Sequence, residues 1–159
     1  MRRSGIPVVL LAIGSLAAAN DSLDATFERD ILIIAANEYA CYRFDIYLAT
    51  EFEQQRQGLM HVRQLAQTTG MLFVYSDSDY RSMWMKNTYI PLDISFVDSD
   101  GTIVNIVRDT EPLSLKSISS IRPVNYVLEL NAGVTERLSI GAGSQLVWGE
   151  MPGFRINEQ

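Results

Sequence analysis

The chain has 159 residues, 47% of them apolar and 20% charged, with 19 acidic against 13 basic side chains and a formal net charge of −6. That length accommodates one domain around one core, the composition excludes wholesale disorder, and the acidic excess argues against a protein that grips a nucleic-acid backbone. A single Cys and a single His exclude an internal disulfide and a Cys/His zinc cage.

The N-terminus has the three parts of a secretory signal peptide: Arg2 and Arg3, an apolar run from Ile6 to Ala17, and an Ala-x-Ala site at Ala17–Ala19 ahead of Asn20. A span across a bilayer needs about 20 apolar residues, and this run is shorter and interrupted by Gly14 and Ser15. The expectation is cleavage after Ala19, an exported periplasmic or secreted product, and no integral membrane segment after cleavage. Cleavage removes two of the 13 basic residues and leaves 140 residues with 11 basic against 19 acidic, a net charge of −8. Residues 20–30 then form a lead-in, 31–148 a single β domain, and 149–159 a flexible tail.

Along the mature chain, Ile31–Ala35 is a β-branched run. Tyr42–Leu48 alternates, with Tyr42, Phe44, Ile46 and Leu48 on one face, which is the period of a half-buried strand. Thr50 stands three residues before Glu53, a capping-box spacing, so a short helix is expected over Glu51–Gln57, stopped by Gly58 and anchored by Phe52, Leu59 and Met60. Further strands are expected at Met71–Tyr75, Ser82–Asn87, Leu92–Asp98, Thr102–Arg108, Tyr126–Leu130 and Gln145–Val147, with a loop over Thr110–Val124 that carries Pro112 and Pro123.

Asp100-Gly101 is the strongest turn signal. A two-residue type I′ turn there sets Ser99 opposite Thr102, Val97 opposite Val104, Phe96 opposite Asn105, Ile94 opposite Val107 and Asp93 opposite Arg108. Both faces of that hairpin are largely apolar, so it belongs in a sandwich or in the wall of a small barrel with something packed outside.

EQQRQGLM (53–60), GMLFVY (70–75), WMKNTYIPLDISFVDSDG (84–101) and YVLELNAG (126–133), in this order and spacing, resemble the DUF192 family of small, often exported bacterial and archaeal domains whose biochemical function is not established. The resemblance implies a compact, mostly antiparallel β fold, barrel or sandwich, with one or two short helices. It brings no reaction with it. The family usually carries an Arg two residues after Gly-Leu-Met, where this chain has Val62 beside Arg63, and many relatives carry cysteines where this chain has Ser117, Ser119 and Ser120.

Four residues stand out as a candidate ligand site. A regular strand over Ser82–Thr88 sets Trp84, Lys86 and Thr88 on one face, and an ammonium between an indole and a hydroxyl suits an anionic or hydroxyl-rich ligand. In YVLELN, Glu129 and Asn131 share a face opposite Tyr126, Leu128 and Leu130, which leaves a carboxylate in an otherwise apolar strand. Lys86 and Glu129 then either pair with each other structurally or serve acid/base chemistry. Asp93 is expected to pair with Arg108 across the hairpin, and Asn87 and Thr88 to cap a bend before Pro91.

The Asp-Ser-Asp strings at 77–79 and 98–100 lack the further carboxylates of a calcium loop and read as solvated turns. Cys41 reads as a buried, inert thiol rather than a partner of His61. No catalytic residue, metal or other cofactor is assigned. The expected function is an envelope accessory module that binds a small molecule, a glycan or a partner protein through Trp84, Lys86, Glu129 and Asn131. The alternative is a small hydrolase or transferase using Lys86 or Glu129.

Overall fold

The computed structural model describes residues 22–149; the expected leader over 1–19 and the tail beyond Gly149 lie outside them. The chain runs β1 (Glu28–Asn37), β2 (Ala40–Ala49), α1 (Phe52–Gln57), β3 (Thr69–Asp79), β4 (Ser82–Met83), β5 (Leu92–Val97), β6 (Ile103–Val107), β7 (Ile118–Ser119), β8 (Val124–Asn131), α2 (Val134–Arg137) and β9 (Gln145–Val147). One helical turn at 22–24 precedes β1.

Seven strands form one curled sheet in the order β6-β5-β8-β3-β2-β1-β9, a half-barrel, while β4 and β7 make a separate two-stranded piece. All pairs are antiparallel except β2 and β3, which run parallel from Asp45 opposite Thr69 to Ala49 opposite Phe73. A parallel pair needs a long crossover, and the segment carrying α1 supplies it.

The two edges of the sheet are stitched at one end. Ile103 N donates to Ser144 O at 2.9 Å, Gly143 N to Ile103 O at 2.9 Å and Leu146 N to Gly101 O at 2.8 Å, and Thr102 bridges Gln145.

Because side chains alternate across a strand, the curl separates two cores. Leu32, Ile34, Phe44, Ile46, Leu72, Leu128, Leu130 and Trp148 fill the inside. Tyr47, Met71, Phe73, Leu92, Ile94, Phe96 and Val127 face the other way and are covered by Leu23, Phe27, Leu59, Val62, Leu65 and Met85 from outside the sheet. The hairpin is therefore buried on both faces, as its sequence implies. At the β3–β8 seam only glycine fits position 70, since a Cβ there would lie 2.6 Å from Leu130 Cδ2 and 2.7 Å from Glu129 O.

Three local expectations change. The register of the β5–β6 hairpin holds for Ile94–Val107 and Phe96–Asn105 but then shifts, with Val97 opposite Ile103 rather than Val104. Asp98 N donates to Thr102 O, so the loop holds three residues, and Gly101 alone takes a positive φ, +87°. A three-residue loop ending on a left-handed glycine inserts a bulge. The helix begins one residue later than expected: Glu51 is the N-cap, and its N–H donates to Gln54 Oε1 at 3.1 Å. Phe52 is 73% exposed and anchors nothing, whereas Leu59 is buried. The loop over Thr110–Val124 contains β7, which pairs Ser119 with Ser82 and Ile118 with Met83.

Candidate functional site

Strand parity decides what β8 shows to each side. Tyr126, Leu128 and Leu130 point into the half-barrel, so Val127, Glu129 and Asn131 point outward. Glu129 is nevertheless only 4% exposed, because α1 and the segments at 59–65 and 84–90 cover that face.

The segment expected as a strand over Ser82–Asn87 keeps strand geometry for two residues only. Beyond Met83 the chain turns: Thr88 N donates to Met85 O at 3.1 Å, Asn87 takes a φ of +55°, and Asn87 O accepts from His61 N at 2.8 Å. Asn tolerates the left-handed region better than other side chains do. Met85 and Thr88 are thereby buried, while Trp84 stays 47% exposed. The bend expected of Asn87 and Thr88 is present, and Thr88 Oγ1 donates to Lys86 O at 3.3 Å.

Between α1 and this turn lies a cleft of about 790 Å³, lined by Glu53, Arg56, Gln57, Met60, His61, Trp84, Lys86 and Asn87. Lys86 Nζ sits 5.0 Å from the centroid of the Trp84 ring. Arg56 Nε lies 3.4 Å from Glu53 Oε2 on the helix surface. An inner pocket of about 110 Å³ shares Arg56, Gln57, Met60 and Trp84 with the cleft and is walled further by Phe73, Tyr75, Met83 and Glu129.

Glu129 Oε2 is buried without a hydrogen-bond partner, and none of the ion pairs among the described residues reaches it. Burial pushes its pKa up to about 8, so the carboxyl carries its proton at neutral pH. Burial likewise pushes the Tyr75 hydroxyl up to about 12, against the lowering effect of Arg81. The Arg81 guanidinium lies 4.0 Å from the Tyr75 ring centroid and bonds Asp77 at 2.7 Å.

The expected Lys86–Glu129 pair does not form, because the turn at 85–88 swings Lys86 onto the indole at the rim. Asn131 stands apart from the other three residues. Its Nδ2 donates to Leu65 O at 3.0 Å and Ala66 O at 3.1 Å, beside a second depression of about 410 Å³ with Arg63, Ile90 and Pro91.

The expected Asp93–Arg108 ion pair is replaced by a relay through Thr135. Asp93 Oδ2 accepts from Thr135 N at 3.0 Å and from Thr135 Oγ1 at 2.7 Å, and its Oδ1 accepts from Asp109 N at 3.0 Å. Arg108 Nε donates to Thr135 Oγ1 at 2.9 Å and its guanidinium to Ile140 O. The two charged residues are neighbours, but α2 inserts between them.

Other expectations find plain structural roles. Asp77 holds Arg81, Asp98 holds Arg122 at 2.8 Å, and Asp100 accepts from Thr102 N at 2.8 Å. Cys41 is exposed rather than buried, and His61 Nδ1 lies 3.4 Å from the Tyr89 hydroxyl. Val62 is buried, and Arg63 stacks 4.7 Å from the Tyr89 ring centroid. Ser117 bonds Ser82 and Ser119. Arg56, Gln57, Met60 and Tyr75 line the cleft or the inner pocket, though the sequence alone marks none of them as a ligand contact and Met60 only as a helix anchor. Three of them fall in the EQQRQGLM string, and Tyr75 follows Met71 and Phe73 at period two.

Among the described residues no helix is long and apolar enough to cross a membrane. No curated protein matches the chain. A crystal structure from Sinorhizobium meliloti 1021, described as a "putative transcription regulator", is 40% identical with a TM-score of 0.75, covering 76% of this chain and 94% of that one. A protein of unknown function from Novosphingobium aromaticivorans DSM 12444 is 31% identical with a TM-score of 0.74, covering 77% and 86%. The sequence profile of DUF192, described as an uncharacterized ACR, matches residues 33–148. With most of its length matched and its sheet shared with these structures, the chain belongs to the DUF192 family.

Proposed function

We propose that the protein is an exported binding module that takes a small hydroxyl-rich or anionic ligand in the cleft between α1 and the 84–88 turn. The observation that carries this reading is the half-exposed Trp84 indole with Lys86 stacked on it at the mouth of a cleft of about 790 Å³. Clefts that hold small ligands measure about 300–1,000 Å³ and combine apolar walls with a few placed polar groups. The flat face of an indole suits the C–H face of a sugar ring, and the Lys86 ammonium and Arg56 guanidinium suit its oxygens or a carboxylate. Export rests on the N-terminal basic pair, apolar run and Ala-x-Ala site.

The description of the Sinorhizobium relative raises a nucleic-acid reading, but 19 acidic against 13 basic residues oppose binding to a phosphate backbone. A hydrolase or transferase reading is favoured by one feature, the Glu129 carboxyl protonated near neutrality, as a general acid must be. Lys86 does not face it as a partner base.

The test is a thermal-shift screen of sugars and cell-wall fragments, followed by tryptophan emission. Trp148 is 2% exposed with its indole N–H on Asp30, so ligand-induced changes in emission report on Trp84. A stabilising ligand that changes the emission and loses its effect in Trp84→Ala supports the cleft. A ligand whose effect survives that change places the site elsewhere.

A further inference from the structure

We propose that the inner pocket receives the ammonium group of a small hydroxyl-rich amine, of the amino-sugar class, with Glu129 as its counter-ion. This assignment rests on the cleft reading above and names the ligand's second recognition element.

The chemistry of the walls selects for a cation. Phe73, Tyr75 and Trp84 present aromatic rings and Met60 and Met83 thioethers around the pocket, beside the Gln55 and Gln57 amides and the Arg56 side chain; the ring faces attract an alkylammonium better than an anion. Its volume of about 110 Å³ holds a few heavy atoms, given that one liquid water occupies about 30 Å³. An aminomethyl group fits there, and the rest of a sugar-sized molecule stays in the outer cleft against Trp84 and Lys86.

At the pocket wall stands a carboxyl that is 4% exposed and whose Oε2 has no partner. A buried polar atom left without a hydrogen bond is costly; Oε2 is closed to solvent in the empty pocket, and a turn of the carboxyl brings it to an arriving ammonium, which supplies both the missing donor and the missing charge. The groups facing Glu129 do not already do so. Tyr75 from β3 is a neutral phenol whose hydroxyl is directed to Met83 Sδ at 3.9 Å. Arg56 from α1 is held by Glu53 and its side chain is 69% exposed, Arg81 lies across the Tyr75 ring, and Lys86 is held on Trp84.

The proton balance follows. In the empty pocket Glu129 is a neutral acid; when the ligand enters as R–NH3+, the carboxyl releases its proton to solvent and an ammonium–carboxylate pair remains. Binding therefore tightens as pH rises toward about 8, by up to about tenfold per pH unit.

The probes are glucamine and its neutral counterpart glucitol, titrated calorimetrically at about pH 6 and about pH 8 in buffers of different ionisation enthalpy. The expected result is glucamine binding at least about tenfold tighter than glucitol, with close to one proton released at the lower pH. In Glu129→Gln the amine preference and the proton release are both lost while the thermal midpoint does not fall. The wild-type Glu129 carboxyl carbon, followed by 13C NMR at about pH 6, shifts to its ionised position on adding glucamine, a readout that stands even where the variant misfolds. Equal affinity for the two probes, no glucamine binding, or a preference retained in Glu129→Gln overturns the assignment. Trp84-dependent binding of sugars without amine preference leaves the cleft reading intact while the ammonium assignment fails. Ligands that bind independently of Trp84 remove both.

Discussion

Asp93 and Glu129 stand on adjacent strands, one register step apart, since Ile94 of β5 is opposite Glu129 of β8 and Asp93 is opposite Leu130. Both carboxyls are almost wholly removed from water, at 0% and 4% exposure, yet they point to opposite faces of the sheet and meet opposite treatment. On the inner face Asp93 accepts three hydrogen bonds from Asp109 and Thr135. On the outer face Glu129 leaves an oxygen without any partner and holds a proton instead. A buried acid that the fold satisfies serves the fold. One that the fold leaves unsatisfied beside open space is available to something that is not part of the chain.

This contrast can be broken most decisively at Asp93. Replacing it by Ala orphans the Thr135 and Asp109 donors and leaves Arg108 without its relay. Loss of about 3–5 kcal/mol is expected in urea denaturation. A loss below about 1 kcal/mol would remove Asp93 from the structural side of the comparison.

A pH-dependent effect sharpens the other side. Glu129 has a folded pKa near 8, above the carboxylate value in an unfolded chain, so between about pH 4.5 and 8 the folded state binds more protons. Its contribution to stability is complete below that window and is lost as pH rises through it, with a slope of at most about 1.4 kcal/mol per pH unit. Urea midpoints measured across the window should show this slope in the wild type and not in Glu129→Gln. A wild-type slope equal to that of the variant would mean the carboxyl is ionised in the fold.

The smallest effect on stability belongs to Lys86. Its ammonium touches the indole rather than a buried acid, and such contacts at exposed sites contribute about 0.5–1 kcal/mol. Lys86→Met should move the denaturation midpoint little while weakening the cleft's hold on anionic or hydroxylated ligands. Collapse of folding would instead show a structural role for that charge.

What could be read in the sequence follows from how far apart the deciding residues are. The alternation of Tyr42 to Leu48 depends on neighbours and yields β2 directly, and the period-two pattern of YVLELN places Glu129 on the face opposite Leu128 and Leu130. The hairpin register is correct up to Phe96 and Asn105. It fails beyond them because Asp-Gly suits both a two-residue turn and a three-residue loop with a bulge, and the strand ends on β9 that help choose between them lie more than forty residues away. Trp84 and Lys86 are legible as unusual residues, but their strand is cut short by a turn whose partner, His61, comes from beyond α1. Opposite charge pairs Lys86 with Glu129, but that pairing requires a straight strand that the left-handed Asn87 does not allow. Asn131 reads as a ligand contact because it shares a strand face with Glu129; its amide ties down the backbone carbonyls of 65 and 66, segments that the strand pattern does not reveal.

The stitching of Gly101–Ile103 to residues 143–146 has a consequence for how the chain is made. β9 follows every other strand of the described residues, and both partners that it joins, β1 and the tip of the β5–β6 hairpin, emerge from the ribosome well before it. Until residues 145–147 are available, β1 and the hairpin tip present unpaired backbone to any passing strand. The nascent chain therefore stops being adhesive only once β9 has emerged, and a product truncated just before β9 would carry the aggregation risk of an open sheet despite possessing nearly the whole core.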